Sequence, residues 1–244
     1  MRYILLLVII LILAGLFYRQ YRRDHLNTYA PIFGVLPPVQ YKICGIDVSR
    51  YQANINWRAV AKAKQGGHKI HFAFIKATQG TLRVDPQFIN NWKGAQSAGI
   101  KRGAYHYFSP DESPVTQALF FIKTLNNTPG ELPPVLDVEE MGKLSTKQLN
   151  NNIEIWLTLV TKYLHKKPII YASLKFLDHK ISDEIKKSYP IWIAHYYRTE
   201  MLWKGHWIFW QFSDKGKIPG IKGAVDFNVF RGDSIEFYSK LVRD

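Results

Sequence analysis

The sequence predicts an α/β protein: an irregular (β/α) barrel of the TIM type, preceded by one N-terminal transmembrane helix. Three observations predict it. From residue 42 onward, short β-branched runs alternate with capped helical patterns, a rhythm that implies parallel strands joined by crossovers. About eight such runs occur, the number that closes a barrel. Ahead of them stands one long apolar stretch. At 244 residues and 47% hydrophobic content, the chain suits one sizeable domain.

Residues 3–18 form an uninterrupted apolar or aromatic run of 16 residues between Arg2 and Arg19. As a helix it spans roughly 24 Å, slightly short of a ~30 Å hydrocarbon core. Tyrosines and arginines at its ends extend it by sitting in the interface. A cleavable signal peptide is the alternative, but its apolar region is usually about 7–15 residues. No small-x-small cleavage pattern follows here. The expectation is therefore an uncleaved anchor over 1–18. Residues 19–40 contain Pro31, Pro37 and Pro38 with no helical period, which reads as a juxtamembrane linker. The barrel domain is then 41–244.

Strands are expected at 43–48, 70–76, 102–108, 134–138, 168–172, 190–195, 207–212 and 224–228. Helices fit between several of them. Asp85-Pro86 is an N-cap followed by proline, and Gly99 closes that helix. Ser113-Pro114 repeats the device. Ser145 with Gln148 makes a capping box ahead of the pattern 146–166, which Pro168 ends. An open doubly wound sheet is the alternative architecture. It loses ground because Gly45-Ile46-Asp47-Val48-Ser49 lacks the glycine spacing of a phosphate-binding turn. The last third has little helix, hence an irregular barrel.

Net charge is +14, which favours polyanionic partners: nucleic acid, anionic lipid or a carboxylate-rich bacterial wall. No nucleic-acid motif is present, and basic runs such as 162–167 read as solvated helix faces. The single cysteine, Cys44, excludes an internal disulfide framework and any multi-cysteine metal site. It lies inside the first strand and reads as a buried, inert thiol. His68 and His71 are three apart, but no His-Glu-x-x-His cluster exists.

In a barrel, reacting groups come from the C-terminal strand ends. Those ends carry Asp47, then Lys76, then Tyr105 and Tyr107, then Asp137 and Glu139. Further on come Tyr171, Trp192, His195, Tyr196, Trp210, Gln211, Asp226 and Asn228. Four acids recur at equivalent places in a chain with only 19. Asp137 and Glu139 are two apart on a strand, so both face the expected cleft. Two carboxylates held close do not both ionise readily, which keeps one protonated near neutrality. Glycoside hydrolysis needs such a pair. An isolated Asp-x-Glu more often just ends a strand, but the aromatics change that balance. Tyr51, Tyr105, Tyr107, Trp192, Tyr196 and Trp210 offer faces for sugar rings and polar tips for hydroxyls. His106, between two tyrosines, is expected to face away from the cleft.

Several stretches resemble glycoside hydrolase family 25 lysozymes. They are Asp47 to Gln52, Phe74 to Gly80, Gly103 to Phe108, Pro134 to Glu139, Trp192 to Ala194, Trp210 to Asp214 and Gly223 to Asn228. They stand in family order and cover about residues 43–232. The resemblance implies an N-acetylmuramidase that needs no metal or cofactor and acts on peptidoglycan glycan strands. It implies Glu139 as general acid/base and Asp137 as the group orienting a substrate 2-acetamido group that assists as internal nucleophile. Asp47 and Asp226 complete the carboxylate set. Tyr51, Tyr105, Tyr107, Trp192, Tyr196, Trp210, Gln211 and Lys76 are the expected substrate-binding residues. One departure stands out: the family commonly has Glu where this chain has Gln79. An amide hydrogen-bonds but does not titrate, so activity is expected to survive.

Arg19, Arg22 and Arg23 follow the apolar run, which by the positive-inside rule places the domain in the cytoplasm. A wall substrate requires the opposite. The expectation follows the substrate: a single-pass protein with its catalytic domain outside the cytoplasm, or a secreted one where the apolar segment is cleaved.

Overall fold

A computed structural model describes residues 12–18, 32–125 and 130–241 of the chain. In chain order, β1 (Cys44–Val48) leads through a 3-10 turn at Arg50–Gln52 to α1 (Trp57–Lys62) and β2 (Lys64–Gln65). Then come β3 (His68–Gln79), β4 (Arg83–Val84), α2 (Phe88–Ser97), β5 (Lys101–Tyr107), α3 (Pro114–Leu125) and β6 (Val135–Asp137). The second half holds α4 (Thr146–Leu164), β7 (Ile169–Ser173), α5 (Leu174–Lys180), α6 (Asp183–Ser188) and β8 (Ile191–Ala194). It ends with β9 (Trp207–Gly216), β10 (Val225–Phe230) and α7 (Ser234–Glu236), which runs on into a π-helical turn at Phe237–Leu241.

Eight strands close a barrel in the order β1-β10-β9-β8-β7-β6-β5-β3, and β3 pairs back onto β1. All eight expected runs are strands, and β2 and β4 are short ribbons on β3. The expectation of parallel strands holds for seven. The eighth, β10, runs antiparallel to both β9 and β1. The reason is local: the link from Gly216 to Val225 is too short for a parallel crossover, which takes a dozen or more residues.

Pleat parity sorts the side chains. On β3, Phe72 and Phe74 point into the barrel while Ala73, Ile75 and Ala77 face the helices. The interior is packed with rings: Phe74 stacks on Trp192 at 4.5 Å, and Phe72 meets Phe209 at 4.9 Å. Phe237, from the C-terminal turn, plugs the lower end against Phe230 at 5.4 Å. The glycines make room for this filling. A Cβ on Gly45 would stand 2.4 Å from the Phe72 ring, and one on Gly103 2.5 Å from Phe74. Such approaches leave no space for any side chain.

Outside the barrel, α4 buries Leu149, Ile153, Trp156, Leu157 and Val160, a helical stripe at three- and four-residue spacing. The Ser145–Gln148 capping box starts it, and His165 ends it in a left-handed conformation. The Asp85 expectation needs correction: α2 starts at Phe88 without a side-chain cap. Asp85 instead accepts the backbone N–H groups of Gln87 and Arg50, both at 2.9 Å, tying this corner to the 3-10 turn after β1.

The expected linker also needs correction at its C-terminal end. Phe33 is fully buried and packs on Phe227 at 5.1 Å. Its N–H donates to Gln65 Oε1 and its carbonyl accepts from the Lys217 N–H. Pro37 and Pro38 are buried as well. The folded body therefore begins before residue 41, because a large ring between prolines is available to fill a gap in the core. Residues 19–31 and most of the apolar run lie outside the described residues; 12–18 are helical. Among the described residues, no helix is long and apolar enough to cross a membrane.

Candidate active site

At the upper end of the barrel, inward positions become polar. Two-residue steps above the ring-filled interior bring up Asp47 on β1, Lys76 on β3, Tyr107 on β5, Asp137 on β6, Tyr171 on β7 and Gln211 on β9. The reversed strand contributes from its beginning: antiparallel pairing sets Asp226, near the start of β10, opposite Asp47 at the end of β1. One cleft of about 270 Å³ is lined by Asp47, Tyr51, Lys76, Tyr105, Tyr107, Asp137, Glu139, Trp192, Tyr196, Gln211 and Asp226. All four expected acids and seven of the eight expected substrate contacts therefore meet in one place.

Trp210 is the exception. It is fully buried on the outer face of β9, packed against Tyr41, Trp207 and Phe212, and its Nε1 donates to the His195 carbonyl. Since Gln211 faces inward, its neighbour must face outward. Trp192 lines the floor, but its indole is stacked on Phe74 and its Nε1 donates to Asn228 Oδ1 at 2.8 Å. It supports the cleft rather than offering an open platform. Tyr51, held over the rim by the Ser49–Gln52 capping box, is the exposed ring.

A hydrogen-bond hub organises the floor. Gln211 Nε2 donates to Asp47 Oδ2 at 2.7 Å, while its Oε1 accepts from the hydroxyls of Tyr171 and Tyr196, both at 2.7 Å. Asn228 Nδ2 donates to the same Asp47 oxygen at 2.8 Å. Tyr171 and Asn228 stand at strand ends in the sequence, yet nothing there marks them as partners of this hub. The usable signal is parity: Asn228 is two residues beyond Asp226 on one strand.

The electrostatics follow from burial. Asp47 is buried, which raises its carboxyl pKa to about 6 although Asn228 and Gln211 stabilise the anion. Asp226 is raised further, by burial and then by the negative Asp47 beside it. The two share one proton, held mainly by Asp226, because adjacent like charges do not both ionise readily. Asp137 lies well above the ordinary range through burial and the Glu139 charge, with Lys76 opposing. Glu139, more open to solvent, is raised by burial, while Asp137 and Lys76 pull it down. Asp137 Oδ1 is buried and has no hydrogen-bond partner among the described residues.

Lys76 donates to Gln79 Oε1 at 2.9 Å and lies 4.6 Å over the Tyr107 ring. Past Glu139, Tyr171 and Tyr196 the cleft continues into a hollow of about 340 Å³ that Lys175 and His195 also line. The result is a groove rather than a closed pit. His106 is directed away as expected, between Thr78 Oγ1 at 2.7 Å and Gln117 Oε1 at 3.1 Å, and burial lowers its pKa to about 4. Cys44 is buried against His68 Nδ1 at 3.3 Å, and its thiol is pushed up to about 12.

A family model described as Glycosyl hydrolases family 25 matches residues 46–221. The chain belongs to this family. The uncharacterized protein YegX of Escherichia coli K12 is 47% identical over 211 residues, covering 85% of this chain and 77% of its own. Lysozyme M1 of Streptomyces globisporus is 33% identical over 205 residues, 78% of this chain and 68% of its own. The structure of a family 25 glycosyl hydrolase from Bacillus anthracis superposes with a TM-score of 0.72 at 34% identity, covering 81% of this chain and 93% of that one. This family 25 member is thus an enzyme, a glycosidase of the lysozyme type with the eight-stranded barrel of its relatives.

Proposed function

We propose that this family 25 glycosidase cleaves the β-1,4 bond between N-acetylmuramic acid and N-acetylglucosamine in peptidoglycan, with retention and with help from the substrate's own acetamido group. The observation that carries this reading is the pairing of Asp137 and Glu139 at the mouth of an open groove, with Asp137 Oδ1 buried and unpartnered. A substrate acetamido N–H fits that acceptor. Holding the N–H turns the acetamido oxygen toward the anomeric carbon.

The proton bookkeeping then works in sequence. Without substrate, the pair holds a proton mainly on the more buried Asp137. An N–H donated to Oδ1 stabilises the Asp137 anion, as Lys76 already does. The proton passes to Glu139, which becomes the acid. Glu139 protonates the leaving oxygen as the glycosidic bond breaks and the acetamido oxygen bonds to the anomeric carbon. Water then attacks that carbon, Glu139 takes its proton, and the acetamido group is released. Asp47 and Asp226, sharing one proton, add a single negative charge near the positive centre. The groove continuing past Glu139 suits a polymer rather than a small sugar.

The domain is further proposed to work outside the cytoplasm, tethered by the apolar segment 1–18, or free where that segment is removed. The substrate's location supports this. A reporter fused after Asp244 tests it, and a cytoplasmic signal would refute it. For the chemistry, full-length protein in detergent is expected to release muropeptides with new muramic acid reducing ends. Glu139→Gln is expected to lower release by about 10²-fold or more while wall binding persists. Equal release by variant and parent would sink the assignment.

A further inference from the structure

Beside the cleft, past the shared residues Tyr51 and Lys76, lies a second, smaller hollow of about 30 Å³. It has room for one small polar group and none for a sugar ring. Arg50, Lys76, Gln79, Arg83 and Asp85 line it. The described residues contain two ion pairs, Arg102–Glu131 and Lys186–Asp183, and none of these three cations belongs to either. Lys76 donates to a neutral amide, Gln79 Oε1, at 2.9 Å, and the Arg50 guanidinium lies 5.2 Å over the Tyr51 ring. A carboxylate at position 79 would neutralise Lys76 at that distance. The amide leaves the charge in place.

The acids that face the cluster are Asp85, Glu112 and Asp137. Asp85 acts on Arg50 and Lys76, Glu112 on Arg83, and Asp137 on Lys76 from the cleft side. Each already has work. Asp85 accepts the N–H groups of Arg50 and Gln87, and Glu112 accepts the N–H and hydroxyl of Thr81, both at 2.6 Å. Asp137 lines the cleft and not the hollow. The hollow therefore presents cationic donors without counter-charges at hydrogen-bond distance. Arginine forks and ammonium groups in that state take carboxylates.

We propose that this hollow is a carboxylate subsite of the same enzyme, receiving the anionic group on the lactyl arm of a muramyl unit in the cleft. This rests on the muramidase reading above and adds a preference to it: glycan carrying free carboxylates beside the cleaved bond is the better substrate. The carboxylate has two sources, the peptide stem or the lactyl acid left when the stem is removed.

The test uses full-length protein in detergent and three forms of one glycan preparation. One keeps its stem carboxylates, one has them capped as methylamides, and one is stripped by an amidase so that lactyl carboxylates are free. The parent is expected to show a KM about three- to tenfold lower on carboxylate-bearing strands than on capped ones, the scale of one partly screened charge contact. Arg83→Ala is expected to remove that difference by raising KM on the carboxylate form, with kcat and the capped form unaffected; Gln79→Glu, which also pairs with Lys76 in the cleft, is expected to remove the difference in KM between the forms whatever its effect on kcat. Lys147→Ala, exposed on α4 and lining neither the cleft nor the hollow, controls for attraction by net charge and is expected to leave the difference intact.

Preference for stem-bearing strands alone assigns the stem carboxylate, and equal preference for stripped strands assigns the lactyl group. Equal KM on all three forms overturns the subsite and leaves the muramidase reading standing. So does a Lys147→Ala effect as large as that of Arg83→Ala. Cleavage of none of the forms overturns both.

Discussion

Removing one acid from the cleft should make the protein more stable, and the effect should grow with pH. Asp226 is pushed from an ordinary 3.8 up to about 9 by burial and by the Asp47 charge. The folded protein thus keeps a proton at neutrality that the unfolded chain releases. A group with a raised folded value stabilises fully at low pH, and the benefit drains away as pH climbs from about 4 toward 9. Each unit in that window is about 1.4 kcal/mol. Between about 3.8 and 7 a lone group would lose roughly 4 kcal/mol, and since part of the penalty belongs to the ionised Asp47, about 2–4 kcal/mol is expected. Asp226→Asn removes the titration and keeps an N–H donor toward Asp47. At this chain length the gain corresponds to a Tm rise on the order of 5–10 °C at pH 7. Thermal unfolding of parent and variant at half-unit steps from pH 4 to 9 measures it. The gap should be small at pH 4 and widen steadily. A constant gap, or one that narrows with rising pH, would refute the shared-proton account.

Phe33→Ala should destabilise by about 3–5 kcal/mol, the cost of emptying a fully buried ring site, as read by urea unfolding; a loss below about 1 kcal/mol would detach this segment from the folded body. With Glu139 as the proposed acid, the alkaline limb of kcat/KM should lie above the ordinary glutamate value, because that role needs the carboxyl protonated and burial raises it. Lys76 holds that value down, so Lys76→Met should move the limb to higher pH. A limb that stays put or moves lower would remove Lys76 from the acid's surroundings.

Most of the barrel was legible because strands alternate. Phe72 and Phe74 pointing inward carry Lys76 to the cleft, and Val135 carries Asp137 there, by parity alone. The same rule, applied strictly, rejects Trp210 once Gln211 is placed inward; counting aromatics near strand ends missed that. The reversal of β10 was also written in the chain, in the short link after Gly216, but strand-by-strand reading treats every run as equivalent. Phe33 was hidden by its neighbours, since prolines suggest a linker whether or not a ring between them docks. The Gln211 hub was not readable, because hydrogen bonds among Tyr171, Tyr196, Asn228 and Asp47 depend on how four strands tilt around a closed barrel. The Asp85 cap failed for a related reason: a distant N–H, that of Arg50, competes for its carboxylate.

The reversed last strand also sets when the cleft is complete. Asp47 takes a hydrogen bond from Asn228, 181 positions further along the chain, and Asp226 faces it across the final seam of the barrel. A nascent or truncated polypeptide that ends before β10 has its acid pair on β6 but no seam, no shared proton and a frayed edge where the groove wall belongs. The four acids therefore come together only when synthesis is nearly finished, because the last strand to leave the ribosome is the one that completes their cleft.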